Sequence, residues 1–219
     1  MISAYTGTQI RAAENGFIQT SLRTGAGAVL MQRAAYGLAN AVVRELRSRG
    51  GRLYGSSVTV LAGKGNNGGD GLFAAALLAR RGMRTTAVLT AGEAHPEGLA
   101  ALEKAGGRVI LLTQGTGPAA AATAAASDVV LDAVLGTGAQ GGLRGPAAEL
   151  IEALARSRPG LVVACDIPSG VDADTGEAHP PVLPAELTVT FGAAKAGLLA
   201  DPGADFAGRV QVIPIGIEA

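Results

Sequence analysis

From Gly63 to Gly71 the chain reads Gly-Lys-Gly-Asn-Asn-Gly-Gly-Asp-Gly. Glycines let a backbone come close to a ligand, and the start of the helix that must follow offers unpaired N–H groups to a phosphate. Gly63, Gly65 and Gly68 have the spacing of a dinucleotide-binding turn, but Asn66, Asn67 and Asp70 intrude, and their polar side chains need partners. A second run extends from Asp132 through Gly136-Thr137-Gly138-Ala139-Gln140-Gly141-Gly142 to Arg144 and Pro146. An Asp inside an apolar strand is costly to bury unless a cation or several donors meet it. The glycines after it suit either a loop that closes on a ligand or a capped turn entering the helix after Pro146. In the third run, Val163-Ala164-Cys165-Asp166-Ile167-Pro168-Ser169-Gly170, a hydrophobic strand again delivers a carboxylate, followed by a proline-fixed turn and a hydroxyl. Ser169 or Asp172 also suits a simple turn cap.

Positioning these groups requires a repeating pattern of strands and helices, and the chain has one. Apolar β-rich runs predict strands over 58–62, 85–90, 108–112, 128–134, 161–165, 187–191 and 210–214. Helical spacing predicts helices over 8–22, 28–49, 70–81, 96–105, 118–126 and 146–157, the nearly pure Ala run 119–126 lying close against the sheet. The alternation implies an α/β chain with a three-layer Rossmann-like fold: a mainly parallel central sheet and helices on both faces. In such sheets the ligand crevice lies outside the carboxyl ends of the strands. A strand order that makes the three runs neighbours would therefore bring Asn67, Asp132, Asp166 and Ser169 together.

The bulk properties agree. With 219 residues, 48% hydrophobic and only 3% aromatic, the chain is expected to form one domain over 1–219, its core built from aliphatic side chains. Lys plus Arg number 18 and Asp plus Glu number 18, which argues against nucleic acid or an anionic membrane as partner. No apolar run approaches the roughly 20 residues of a membrane span. The lone cysteine, Cys165, and the lack of a signal-like N-terminus point to the cytoplasm. By strand alternation Cys165 faces away from the crevice as core filler. Lys195 follows a strand and either meets a phosphate or stands solvated on a loop, while His95 and His179 read as exposed residues without chemistry. The stretch from His179 to Pro184 reads as a surface loop. Residues 1–50 form a helical segment that packs on the sheet or on a second subunit.

Taken together, Asn66-Asn67-Gly68-Gly69-Asp70-Gly71, Asp132 with Gly136-Thr137-Gly138, Asp166-Ile167-Pro168-Ser169-Gly170 and the opening Val29-Leu30-Met31-Gln32-Arg33-Ala34 resemble the NAD(P)H-hydrate epimerase family over nearly the whole chain. The resemblance implies an isomerase of metabolite repair that interconverts the R and S C6 epimers of hydrated NADH and NADPH. It implies that Asn66, Asn67, Gly68, Gly69 and Asp70, the loop of Gly136, Thr137, Gly138, Ala139, Gln140, Gly141 and Gly142, and Asp166 contact that substrate. It further implies a potassium ion held by Asn67, Asp132 and Ser169, and these oxygen donors suit a hard cation. The amphipathic N-terminal helices point to a homodimer, and the likeness implies a functional partnership with an NAD(P)H-hydrate dehydratase, although only the epimerase domain is recognisable here. Gln140 stands where some members carry a lysine, leaving Arg144 as the nearby cation, and Gln32 stands where an acidic residue is commoner.

Hydration leaves a hydroxyl on C6 beside the ring nitrogen, a hemiaminal whose configuration is lost when a bond at C6 breaks. Asp166 is expected to protonate the departing hydroxyl and then to act as base toward the returning water, with ring opening as the other chemical route. Two rivals have different requirements. A non-catalytic nucleotide- or protein-binding scaffold of the same fold has no need of these oxygen ligands. An ordinary nicotinamide-dependent oxidoreductase wants an acidic residue about 20 positions after its glycines, where this chain has Thr85-Thr86-Ala87.

Overall fold

Strands buried on both faces read as unbroken aliphatic runs, and four of the strands here have every residue buried or nearly so. The computed structural model describes residues 4–10, 12–13, 16, 26–139, 141–157 and 159–216. In chain order its elements are β1 (Ala4–Tyr5), α1 (Ala26–Ser48), β2 (Ser57–Ala62), α2 (Asn66–Arg80), β3 (Arg84–Leu89), α3 (Pro96–Lys104), β4 (Arg108–Leu111), α4 (Gly117–Ala125) and β5 (Val129–Ala133). There follow α5 (Gly145–Arg156), β6 (Leu161–Cys165), β7 (Leu187–Phe191), β8 (Ala194–Lys195), a 3-10 turn (Ala196–Leu198), α6 (Gly203–Ala207) and β9 (Arg209–Ile213).

Seven strands form one sheet in the order β4-β3-β2-β5-β6-β7-β9, every neighbouring pair parallel. The chain runs outward from β2 to β4, then returns to lay β5 beside β2, with Leu61 paired to Asp132 and Ala62 to Ala133. That return is the switch point of the sheet. The helices after these two strands leave to opposite faces: α2 packs with α1 and α3 over Val60, Leu131 and Val163, whereas α5 packs with α4 over Leu61, Val130 and Val162. A crevice must open between the two departing chains, at the carboxyl ends of β2 and β5.

The first long helix meets the sheet with Leu30, Ala34, Leu38, Val42 and Leu46, buried at helical spacing. In α4, Ala120, Ala121 and Ala124 lie in the opposite core against Leu61 and Val88, the close approach that small side chains permit. Most of the helix expected over 8–22 lies outside the described residues. The tiny parallel pair β1–β8 was not expected, since two-residue strands show no periodicity. The run from His179 to Pro184 is a loop, but Val182 and Leu183 turn inward, Val182 packing with Ile167, Val171 and Leu198 beneath the strand ends.

Candidate active site at the strand ends

Sequence spacing predicts a loop up to residue 70, yet α2 already begins at Asn66, so the Asn-Asn-Gly-Gly-Asp segment is the first turn of a helix. The steric fit explains this. A Cβ on Gly63 would lie 2.0 Å from the carbonyl oxygen of Val134, and one on Gly68 would lie 1.9 Å from the carbonyl oxygen of Gly63. Glycine at both positions lets the helix start directly on the strand end. Gly65 precedes the helix without a side-chain cap, so the leading N–H groups are left for a ligand. They open on a cleft of about 830 Å³ lined by residues 63–67, Asp70, the 134–139 loop, Gly142, Arg144, Asp166 and Phe191.

Beneath the 134–139 loop, Asn67 and Ser169 hold Leu135 from its two backbone groups, and Asp132 stands behind Ser169. Asn67 donates its Nδ2 to the carbonyl of Leu135 at 2.9 Å, and the amide of Leu135 donates to Ser169 Oγ at 2.9 Å. Ser169 in turn donates its hydroxyl to Asp132 Oδ1 at 2.6 Å and its backbone N–H to Oδ2 at 2.8 Å. Asp132 and Ser169 are fully buried. Burial pushes the Asp132 carboxyl above its ordinary range, and the two Ser169 hydrogen bonds pull it part of the way back. Among the described residues no cationic side chain pairs with Asp132. Asn67 Oδ1 is buried with no hydrogen-bond partner. An orphaned amide oxygen beside a buried carboxylate fits a bound hard cation.

At the end of β6, Ile167 donates its N–H to the carbonyl of Cys165 at 2.8 Å, closing a three-residue γ-turn with Asp166 at its centre. Asp166 is the one non-glycine residue with positive φ among those described, at 68°. Its Oδ1 accepts from Lys195 Nζ, from Thr190 Oγ1 at 3.0 Å and, at 3.4 Å, from the Phe191 N–H. Lys195 is 1% exposed. Both readings of Lys195, as a phosphate ligand and as a solvated loop residue, are therefore overturned: it is a buried ion-pair partner of Asp166. The signal was the strand-turn-strand distance from Thr190 to Lys195, too short a stretch for pattern reading to resolve.

Of the residues assigned to the substrate, Asn66, Asn67, Asp70, Gly136, Thr137, Gly138, Ala139, Gly142 and Asp166 line the cleft. Gly68 and Gly69 stand behind that lining, Gly68 against Gly63 and Gly69 against the His95 ring. Gly141 is exposed but outside the lining, and Gln140 lies outside the described residues. Arg144, the cation nearest Gln140 in the sequence, lines the cleft too, as do Lys64, Thr90 and Phe191, which the sequence left unassigned because a lone residue at a strand end carries no periodic signal. Cys165 is fully buried with its thiol toward the Asn67 carbonyl, and burial, then the charges of Asp70, Asp166 and Asp132, push it well up. His95 and His179 are half-buried rather than exposed. His95 caps α3 through Nδ1 and meets the Phe73 ring edge-on, and His179 ties its N–H to Gly170.

Residues 27–197 match the family model described as YjeF-related protein N-terminus. The chain is 42% identical to an NAD(P)H-hydrate epimerase of Microbacterium testaceum, the match covering 99% of this chain and 80% of that one. An NAD(P)H-hydrate epimerase of Clavibacter michiganensis is also 42% identical, covering 98% and 90%. The bifunctional NAD(P)H-hydrate repair enzyme Nnr of Mycobacterium tuberculosis is 42% identical over 98% of this chain and 41% of its own length. Among solved structures, yeast ynu0 superposes with a TM-score of 0.77 over 90% of this chain and 83% of that one at 22% identity, a likeness of fold. Among the described residues no helix is long and apolar enough to cross a membrane.

Proposed function

Because the chain belongs to the YjeF-related protein N-terminus family, we propose that it is an NAD(P)H-hydrate epimerase that interconverts the R and S epimers of hydrated NADH and NADPH. The observation that carries the proposal is a carboxylate, Asp166, at the wall of a cleft whose floor is the uncapped start of α2. The substrate pyrophosphate lies on the N–H groups of Asn66 and Asn67, as expected at a helix N-terminus on a switch point. Lys64 and Arg144, both exposed on the lining, add positive charge around it. The hydrated ring then reaches Asp166.

Asp166 pairs with an ammonium, so it meets the ring as a carboxylate. This favours base-first chemistry over the acid-first order expected from the sequence. Asp166 takes the proton of the C6 hydroxyl, the carbon–oxygen bond becomes a carbonyl, and the electron pair of the C6–nitrogen bond returns to the ring nitrogen, conjugated with the carboxamide. Rotation about the adjacent carbon–carbon bond turns the other face of the carbonyl to the nitrogen. Ring closure then places the new oxygen charge beside Asp166, which gives the proton back. No atom is gained or lost.

A potassium ion belongs to the same proposal, with Asn67 and the buried carboxylate of Asp132 to hold it and Ser169 as the third oxygen. When bound, it supplies a positive charge under the 134–139 loop. The residues themselves fix that loop through Leu135. A homodimer and a working partnership with a dehydratase complete the reading: α1 leaves Val29 and Tyr36 exposed, and the Mycobacterium tuberculosis relative is named as bifunctional. The single free cysteine is the ground for placing the protein in the cytoplasm.

Incubating the purified S hydrate with the protein in oxygen-18 water tests both activity and route. Ring opening predicts R hydrate without label at C6. One labelled oxygen per turnover would show loss of the hydroxyl instead, and binding without interconversion would leave the scaffold reading.

A further inference from the structure

Lys195 has three ammonium protons and three acceptors: Asp166 Oδ1, Thr190 Oγ1 at 2.8 Å and the Phe191 carbonyl at 3.0 Å. It has none left for a substrate. Burying an ammonium is expensive unless it is paired and fully hydrogen-bonded, and here the cost is incurred at a carboxylate that lines the cleft.

The acceptors belong to two matched turns. Just as Cys165 and Ile167 close a γ-turn around Asp166, the N–H of Ala193 reaches the Phe191 carbonyl at 2.9 Å and closes one around Gly192. The two central residues have φ of 68° and 73°. β6 and β7 are neighbours, so the turns lie side by side, and Lys195 joins them by binding the side chain of one and a carbonyl of the other. Thr190 completes the triangle, donating to Asp166 Oδ1 while accepting from Lys195. The backbone of Lys195 is itself held by β1, where Tyr5 is its register partner. Every one of the described hydrogen bonds to the Asp166 carboxylate ends on Oδ1.

We propose that Lys195 is the positioning residue of this site: with Thr190 it locks Oδ1 of Asp166, holds an aspartate in a left-handed turn, and leaves Oδ2 for the reacting hydroxyl. The proposal rests on Asp166 being the reacting group. Lys195 acts through Asp166, so its loss slows turnover and spares binding.

The test is a cycle of Asp166→Asn, Lys195→Met and the double variant, assayed for epimer interconversion by chiral chromatography and for NADPH binding by calorimetry. Lys195→Met is expected to lower kcat by about 100-fold, the scale of a displaced catalytic group. KM and NADPH affinity should stay within about threefold, the pattern of an interaction needed only in the transition state. The double variant should be no slower than Asp166→Asn, because two residues acting as a unit are not additive. A Lys195→Met protein with full kcat beside an inactive Asp166→Asn protein would overturn the positioning role alone. So would a double variant at least about tenfold slower than Asp166→Asn, since independent effects add. Full activity of Asp166→Asn would sink the reading of Asp166 and this proposal with it. If Lys195→Met does not fold, Thr190→Val decides: it keeps both charges, removes the bond to Asp166 and the bond from Lys195, and should lower kcat by at least about tenfold, with KM unchanged. An unaltered kcat in Thr190→Val would then overturn the proposal.

Discussion

Ser169 meets Asp132 with both of its donors, the hydroxyl on one carboxylate oxygen at 2.6 Å and the backbone N–H on the other at 2.8 Å, in a region sealed from water. The same hydroxyl accepts from Leu135, so it ties the end of β6 to the loop after β5. Ser169→Ala leaves a buried carboxylate oxygen short of a donor and the Leu135 amide short of an acceptor. A loss of about 1–3 kcal/mol is expected in equilibrium urea unfolding. An unchanged midpoint would mean that these bonds do not support the loop.

Asn67 Oδ1 lies buried and unsatisfied near that pair. If it helps to hold potassium, the midpoint of thermal unfolding should rise in potassium chloride relative to choline chloride at equal ionic strength, because a ligand bound only by the native state stabilises it by mass action. In Asn67→Ala the rise should shrink or vanish. Equal midpoints in the two salts for the unaltered protein would count against a bound ion.

The joint between β2 and α2 gives a paired steric prediction. Gly68→Ala would drive a Cβ to 1.9 Å from a backbone carbonyl that cannot move without shifting β2, whereas a Cβ on Gly65 meets nothing within 4 Å. Gly68→Ala should cost about 1–3 kcal/mol, as overpacked sites do, and weaken dinucleotide binding. Gly65→Ala should stay within about 0.5 kcal/mol. Denaturant melts of the two variants make the comparison.

Asp128 Oδ2 accepts from the N–H of Ser57 at 2.7 Å and from its hydroxyl at 2.9 Å. The Ser57 backbone bond, with smaller help from its hydroxyl and Arg84, holds the carboxyl below its ordinary value of 3.8. A carboxyl depressed in the folded state contributes stability that is present above the unfolded value and is lost as pH falls through the folded one. The urea midpoint should therefore fall between about pH 5 and pH 2 more steeply for the unaltered protein than for Asp128→Asn. Parallel curves would remove Asp128 from the acid response. Asp172, depressed first by the Thr175 N–H, adds to it with the same sign.

Most strands, and helices α3 to α5, were readable to within a residue or so because aliphatic runs and helical spacing are local properties, whereas the five-residue α6 is too short to show a period. The start of α2 was not. Its Asn-Asn-Gly-Gly opening has the composition of a turn, and only the approach of Gly68 to Gly63 lets it wind as a helix. Asp132, Asp166, Ser169 and Asn67 could be singled out as polar groups at strand ends, and a parallel sheet folded back at β2 and β5 brings them together. The pairing of Lys195 with Asp166 was invisible by the same logic. It depends on a turn around Gly192 that folds the chain back on itself, and a lysine after such a turn has the same sequence signature whether it is solvated or buried. His95 and His179 were misjudged for a related reason: proline neighbours suggested exposure, but the His95 ring caps α3 and the backbone of His179 is tied to Gly170, which leaves both residues partly buried.

Asp166 is proposed as the reacting carboxylate of an epimerase. The most direct test is to supply the purified S hydrate of NADPH to the unaltered protein and to Asp166→Asn, following the R epimer by chiral chromatography against a protein-free control. The unaltered protein should convert S to R faster than the control, and Asp166→Asn should fall by at least about 100-fold while still binding NADPH, as loss of a general base requires. Interconversion by Asp166→Asn at the unaltered rate would exclude Asp166 as the reacting group.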